Sequence, residues 1–291
     1  MFERPSDLIR PRILLVSSYP SSASSTHAAP RIADDMRRNF RNFTVRCAYL
    51  HKNPRHSSLS GETDQKDLPE ISLPLSLAIR KAAACADPLI LQPLLLMKGA
   101  EYQHILSEAA RASESFYGLH VADPLLSSPE DHQILAGILT SYVLKYHDDN
   151  TAVCFIGHGS STESNSSFEL LEEKLQMMNG PDYYVGTLLD SSSRQRILDR
   201  LRASSCTRIL LCPLMLSSGI HIFRDIAGLY DTEEENISWY DFFISSGYST
   251  LCIPRGIGHL PGISEHFQRQ ISRACINMNR RDLLQESQER G

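Results

Sequence analysis

Short apolar, β-branched runs alternate along the chain with longer stretches whose apolar residues recur every three or four positions. The runs predict strands at residues 12–17, 43–50, 89–95, 117–122, 152–156, 183–186, 208–214 and 248–253. Strands alternating with helical patterns predict βα units and largely parallel sheets. Between them, Ser166-x-x-Glu169 has the form of a capping box, and Phe168, Leu171, Leu175 and Met178 share one helical face. Asn179-Gly180-Pro181 should stop that helix. Another helix is predicted after Pro129, and a further one from Pro261, with Ile263, Phe267, Ile271, Ala274 and Met278 in register. Residues 53–66 are polar and turn-rich and predict a mobile loop, the acidic run 231–235 a solvated one, and the charged tail after Asn279 a frayed end.

The two strand sets resemble each other. The segment from Leu91 to Glu101 can be laid over that from Leu211 to His221, so that Pro93 meets Pro213, Gly99 meets Gly219, and Glu101 falls opposite His221. Likewise Ile13 to Ser22 can be laid over Ala152 to Ser161, which sets Tyr19 opposite His158. An internal duplication of an α/β half explains both matches. The expected division is an N-terminal half, residues 1–135, carrying Glu101, and a C-terminal half, residues 136–291, carrying His158 and His221, with the junction between 128 and 150. A length of 291 residues suits two such domains.

Charge and cysteine content narrow the function classes. Twenty-nine basic against thirty-four acidic residues leave a net charge of −5, so no positive field attracts nucleic acid or an anionic membrane. The first residues are charged and broken by Pro5, without the apolar segment of a signal peptide or a membrane span. Seven cysteines without a Cys-x-x-Cys pair predict reduced thiols and a cytoplasmic protein rather than a disulfide framework or a zinc ribbon. There is no Gly-x-x-x-x-Gly-Lys-[Ser/Thr] phosphate loop and no Gly-x-Ser-x-Gly nucleophile elbow. No prosthetic group is expected.

In open parallel sheets, ligands bind beyond the carboxyl ends of the strands. Three polar residues emerge there beside glycines: Glu101 after Gly99, His158 between Gly157 and Gly159, and His221 after Gly219. Two imidazoles and a carboxylate suit a borderline metal such as cobalt, nickel, iron or zinc, and serve equally as acid–base groups. Each also has a plainer reading. A histidine after a strand is commonly a turn residue, and a glutamate at a helix start is favoured by the helix dipole. Arg224-Asp225 reads as a helix salt bridge or as an orienting pair for His221. Most remaining histidines are expected at the surface. Ser160 beside His158 admits a serine hydrolase, although the rest of that machinery is missing.

As an ordered set, Gly157-His158-Gly159, Pro213-Leu214-Met215-Leu216 leading to Gly219-x-His221, and Asp225-x-Ala227-Gly228 resemble the anaerobic-type sirohydrochlorin cobaltochelatases, class II chelatases related in fold to ferrochelatase. Gly99-x-Glu101-Tyr102, Pro124 to Ser128, Val185-Gly186-Thr187, Ser238-Trp239 and Gly256-Ile257-Gly258 extend the resemblance from Ile13 to Phe267. It implies two flavodoxin-like halves, each a parallel sheet flanked by helices, with a tetrapyrrole in the cleft between them. The implied reaction is ATP-independent insertion of Co²⁺ into sirohydrochlorin or its precursor, on the anaerobic route to cobalamin. His158 and His221 match the family's two active-site histidines and Glu101 its acidic metal-site residue, with His158 favoured as base. The chain departs from the family where Ile220 replaces an acid before the second histidine, where Leu188-Leu189 follows the Val-Gly-Thr strand, and where Tyr19 stands in the first loop. Those departures keep open another metal (nickel or iron), another macrocycle, or a non-catalytic tetrapyrrole or metal carrier. The expected partners are a tetrapyrrole and a divalent metal, and a homo-oligomer is compatible with the sequence.

Overall fold

All eight apolar runs form strands, and every strand pairing is parallel. The computed structural model describes residues 11–18, 28–50, 73–84, 87–159, 166–230 and 237–289, with side chains of the last helix described as far as Met278. The predicted loop 53–66, the acidic run 231–235, Tyr19 and Ser160 lie outside the described residues.

The chain divides into two compact units. The first comprises Met1–Tyr19, Ala29–Leu125 and Ser264–Gly291, and the second Pro20–Ala28 and Leu126–Ile263. This grouping differs from a single break at residue 135. Helix α4 (Pro129–Val143) belongs wholly to the second unit, and the last helix, α8 (Ile263–Glu289), returns to the first. Phe267, Ile271 and Ala274 of α8 are buried, as their spacing requires, and Met278 lies beside Gly118. The charged tail stays helical to Glu289 instead of ending at Asn279.

The first sheet holds β1 (Arg12–Ser17), β2 (Thr44–Tyr49), β3 (Leu89–Pro93) and β4 (Leu119–Val121) in the order β2-β1-β3-β4. Helices α1 (Ala29–Asn39), α2 (Leu75–Ala83) and α3 (Ala100–Ala112) connect them. Strand alternation sends Leu14, Val16, Ala48, Leu89 and Leu91 into one core with Leu75, Ala78 and Ile79 of α2 and Tyr102, Ile105 and Ala109 of α3. The second sheet repeats the plan. Its strands β5 (Thr151–Gly157), β6 (Tyr183–Thr187), β7 (Arg208–Leu214) and β8 (Ser249–Cys252) run in the order β6-β5-β7-β8. Ala152, Cys154, Ile156, Ile209 and Leu211 pack against Ile197, Leu198 and Leu201 of α6 (Ser193–Leu201) and Trp239 and Phe243 of α7 (Trp239–Ser245). The shared strand order supports the duplication. Pro93 and Pro213 lie at the inner strands' C-terminal ends, past the last residues that pair with β4 and β8, so their missing N–H groups cost no ladder bond there.

Two helical details refine the predictions. In α5 (Ser166–Asn179), Phe168, Leu171 and Leu175 are buried, but Met178 is 44% exposed at the helix end, where its sulfur meets the Gln133 side chain. The helix stops at Gly180, whose φ of 96° is left-handed. Helix α4 starts on Ser128, whose Oγ accepts from the Asp131 N–H at 3.2 Å and donates to Asp131 Oδ2 at 2.7 Å. His132 and His266 are buried rather than superficial, because each falls on the apolar stripe of its helix, His132 three residues before Leu135 and His266 three residues after Ile263. Six cysteines among the described residues are free thiols, and burial raises those of Cys154 and Cys212 far above their usual range. No helix among the described residues is long and apolar enough to cross a membrane.

Candidate metal and proton-transfer site

In each sheet the chain runs outward in opposite directions from two adjacent central strands. Such a reversal, between β1 and β3 and between β5 and β7, marks the carboxyl ends where open parallel sheets bind ligands. Of the three predicted site residues, His158 lies on the loop after β5, and Glu101 and His221 lie in the first helical turns that follow β3 and β7.

In the second unit, His158 follows β5 and His221 follows β7. Their rings meet edge to face with centroids 5.1 Å apart. His158 is exposed, yet its backbone is held: its carbonyl accepts from the Leu189 N–H at 3.1 Å, and Gly159 turns the chain away with a φ of 85°. Only glycine adopts that conformation without strain, and a Cβ there would stand 2.9 Å from Thr187 Cβ. His221 sits at the start of a π-helical turn, Ile222–Ile226, in which the Ala227 N–H donates to the Ile222 carbonyl at 2.9 Å. Four residues on, Asp225 Oδ2 lies 2.6 Å from His221 Nδ1. Arg224 donates to both oxygens of that carboxylate, at 2.5 and 3.2 Å. Burial alone would raise the Asp225 pKa, but the hydrogen bonds and charges of Arg224 and His221 outweigh it and leave the carboxyl below its usual range. Among the described residues of the second unit, no third His, Cys, Asp or Glu completes a metal cluster around the two imidazoles.

In the first unit, Glu101 lies in the first turn of α3, where the helix dipole favours a carboxylate. Its Oε1 accepts from Ser18 Oγ at 2.8 Å. Strand register shows why these two meet. Val16 pairs with Pro93 as Ile156 pairs with Pro213. Counting on from those pairs, Ser18 holds the position of His158, and Glu101 that of His221. The sequence overlay of Ile13–Ser17 on Ala152–Ile156 is one residue out of this register. Both units thus bring the same two loop positions together, as a hydroxyl and a carboxylate in one and two imidazoles in the other.

The family model described as Cobalt chelatase (CbiK) matches residues 12–276. The chain belongs to this cobalt chelatase family. Among curated relatives, the sirohydrochlorin cobaltochelatase CbiKC of Nitratidesulfovibrio vulgaris is 30% identical over 173 residues, 59% of either chain. The match thus spans less than two thirds of that relative's length. The sirohydrochlorin cobaltochelatase of Salmonella typhimurium is 28% identical over 214 residues, 74% of this chain and 78% of that one. Two solved structures share the fold. The sirohydrochlorin chelatase SirB from Bacillus subtilis subspecies spizizenii, in complex with cobalt, gives a TM-score of 0.59 at 12% identity, covering 92% of this chain and 97% of that one. SirB from Bacillus subtilis with Fe³⁺ gives 0.62 at 12% identity, covering 91% and 96%.

Several motifs behind the cobalt chelatase resemblance have a packing role around the His221 loop. The Ile257 and Gly258 N–H groups donate to the Met215 and Leu216 carbonyls at 2.7 and 2.9 Å, and the Gly256 N–H donates to Ser218 Oγ at 2.9 Å. A Cβ on Gly256 or Gly258 would lie within 2.7 Å of that loop's backbone, so glycine is required by closeness of approach. Gly228 packs against Ser238 Oγ and Asp241 Oδ2, both 2.7 Å from a would-be Cβ, at the cap of α7. Ser18 and Ser218 carry no chemical signal in the sequence. Only the strand register and the loop packing reveal them.

Proposed function

We propose that the protein inserts Co²⁺ into a sirohydrochlorin-type tetrapyrrole, with His158, His221 and Glu101 handling metal and protons. The observation that carries this reading is the edge-to-face meeting of His158 and His221 at the second sheet's crevice, in a chain of the cobalt chelatase family. Insertion replaces two pyrrole N–H protons by one divalent ion, so the site must accept protons while it delivers metal. A neutral imidazole does either task. In our assignment His158, the more exposed ring, takes protons from the macrocycle. His221 and Glu101 hold the ion, and the Glu101 carboxylate offsets its charge as its water is lost. An open pair of imidazoles would suit transfer, because a closed four-ligand site retains its metal. The net negative charge and reduced thiols fit a cytoplasmic enzyme whose partners are a small macrocycle and a metal ion.

The test is anaerobic mixing of the protein with sirohydrochlorin and Co²⁺, Ni²⁺ or Fe²⁺ in parallel, following the tetrapyrrole absorbance. Acceleration with Co²⁺ over the uncatalysed rate is expected. H158A and H221A should each lower it by about 10²-fold or more, the usual scale of lost proton transfer. E101Q should raise KM for Co²⁺. Full activity in both histidine variants overturns the assignment, and tight tetrapyrrole binding without turnover of any metal overturns the activity.

A further inference from the structure

Among the described residues, His221 has a fixed charged partner. Its Nδ1 lies 2.6 Å from Asp225 Oδ2, and Arg224 spans both oxygens of the same carboxylate. The π-helical turn contributes the placement, since it starts at Ile222 and carries Asp225 four residues beyond the imidazole. A carboxylate that already accepts from a guanidinium fork has only lone pairs to offer, so the proton in the contact with His221 must reside on Nδ1. In the neutral imidazole the other ring nitrogen, Nε2, then keeps its lone pair as a donor. The His221 side chain is 43% exposed, and Asp225 is 27% exposed, so the donor is reachable while its orienter is partly sheltered.

We propose that Asp225, clamped by Arg224, is a positioning residue that holds His221 as its Nδ1–H tautomer and so presents Nε2 to the incoming divalent metal. This rests on the assignment of His221 as a metal-holding residue. The clamp acts before any metal arrives. Free imidazole favours the opposite, Nε2–H tautomer, which would turn a donor hydrogen toward the cation. Arg224 keeps the carboxylate from swinging away: with both oxygens engaged, rotation would break two charge-assisted bonds. The device is confined to the second unit. At the equivalent position in the first, Glu101 has Ser18 as its partner and offers its carboxylate directly.

The experiment reads the tautomer and metal capture separately. In metal-free, tetrapyrrole-free protein labelled with ¹⁵N-histidine, long-range ¹H–¹⁵N correlation should show His221 protonated on Nδ1. In D225A it should move toward the Nε2–H form. The same variant should raise KM for Co²⁺ by about 10- to 100-fold, the range of lost orienting partners, and leave KM for sirohydrochlorin unchanged. D225E should recover part of the Co²⁺ effect. D225N, which keeps the shape, guards against misfolding and should also raise the Co²⁺ KM, because a neutral amide no longer anchors Arg224. A wild-type His221 protonated on Nε2, an unchanged tautomer and Co²⁺ KM in D225A, or an equal rise of both KM values would each overturn the proposal. The tautomer measurement stands without chelation, so its failure is distinct from that of the proposed function, which H221A judges.

Discussion

Replacing Gly159 by alanine separates two physical terms at the turn that carries His158. The first is conformational. At a φ of 85° an L-residue pays about 1–2 kcal/mol, from which about 0.4–1 kcal/mol is regained because alanine restricts the unfolded chain. Gly247 isolates that term, since its φ is 95° and nothing lies within 4 Å of a would-be Cβ. G247A should therefore cost about 0.5–1 kcal/mol. The second term is steric. At Gly159 the new methyl would stand 2.9 Å from Thr187 Cβ and 3.2 Å from its Oγ1. Thr187 cannot retreat, because it is buried, sits in register opposite Gly157, and its N–H donates to Ser193 Oγ at 3.1 Å. Overpacking of this kind adds about 1–3 kcal/mol, for a total of about 1.5–4 kcal/mol in G159A. Urea unfolding followed by fluorescence of Trp239, the single tryptophan, reports on the second unit, which contains all of these residues. The unfolded-chain contribution is common to both variants and cancels in their difference. Chelation should fall in G159A and persist in G247A. Equal stability losses, within about 0.5 kcal/mol, would refute the steric reasoning.

Three further outcomes concern other contacts of the fold. S128A removes both hydrogen bonds that join the Ser128 hydroxyl to Asp131 at the start of α4 and should cost about 0.5–2 kcal/mol in thermal or urea unfolding, whereas S128D should keep most of that stability. G186A would set a Cβ 2.4 Å from Trp239 Cη2, so the tryptophan must move; a shifted emission maximum in the native protein is expected, and an unchanged spectrum would disprove the contact. Asp148 is held below its ordinary 3.8, first by the Thr151 hydroxyl, against the opposing effect of desolvation, and then by the Asn150 N–H and Arg208. A lowered native pKa contributes stability that is full above 3.8 and disappears as the pH falls through the native value, so D148N should flatten stability against pH in that acid window, read from thermal melts between pH 6 and pH 2.

Periodicity alone located the eight strands because parallel strands buried on both faces must be almost wholly apolar, as Ile13–Val16 and Ala152–Ile156 are. The duplication was legible for a related reason: Pro93 with Gly99 and Pro213 with Gly219 hold equivalent backbone positions, and backbone demands leave residue-specific marks. Glu101, His158 and His221 could be singled out because glycines open the chain around them. The burial of His132 and His266 was also available in principle, from their helical stripes. Polar identity argued the other way.

What sequence spacing could not supply was the pairing of sites far apart along the chain. His158 meets His221 because β5 and β7 are neighbours at the point where the chain reverses its direction of travel, and that adjacency arises from packing, not from local preference. The register that sets Ser18 in the place of His158 is likewise decided by β1 aligning on β3. The grouping of α8 with the first unit is also a matter of tertiary contact, which the spacing of its buried Phe267 and Ile271 does not specify. Local chemistry determined the elements and the candidate residues. Which of them touch was decided only when the strands were stacked.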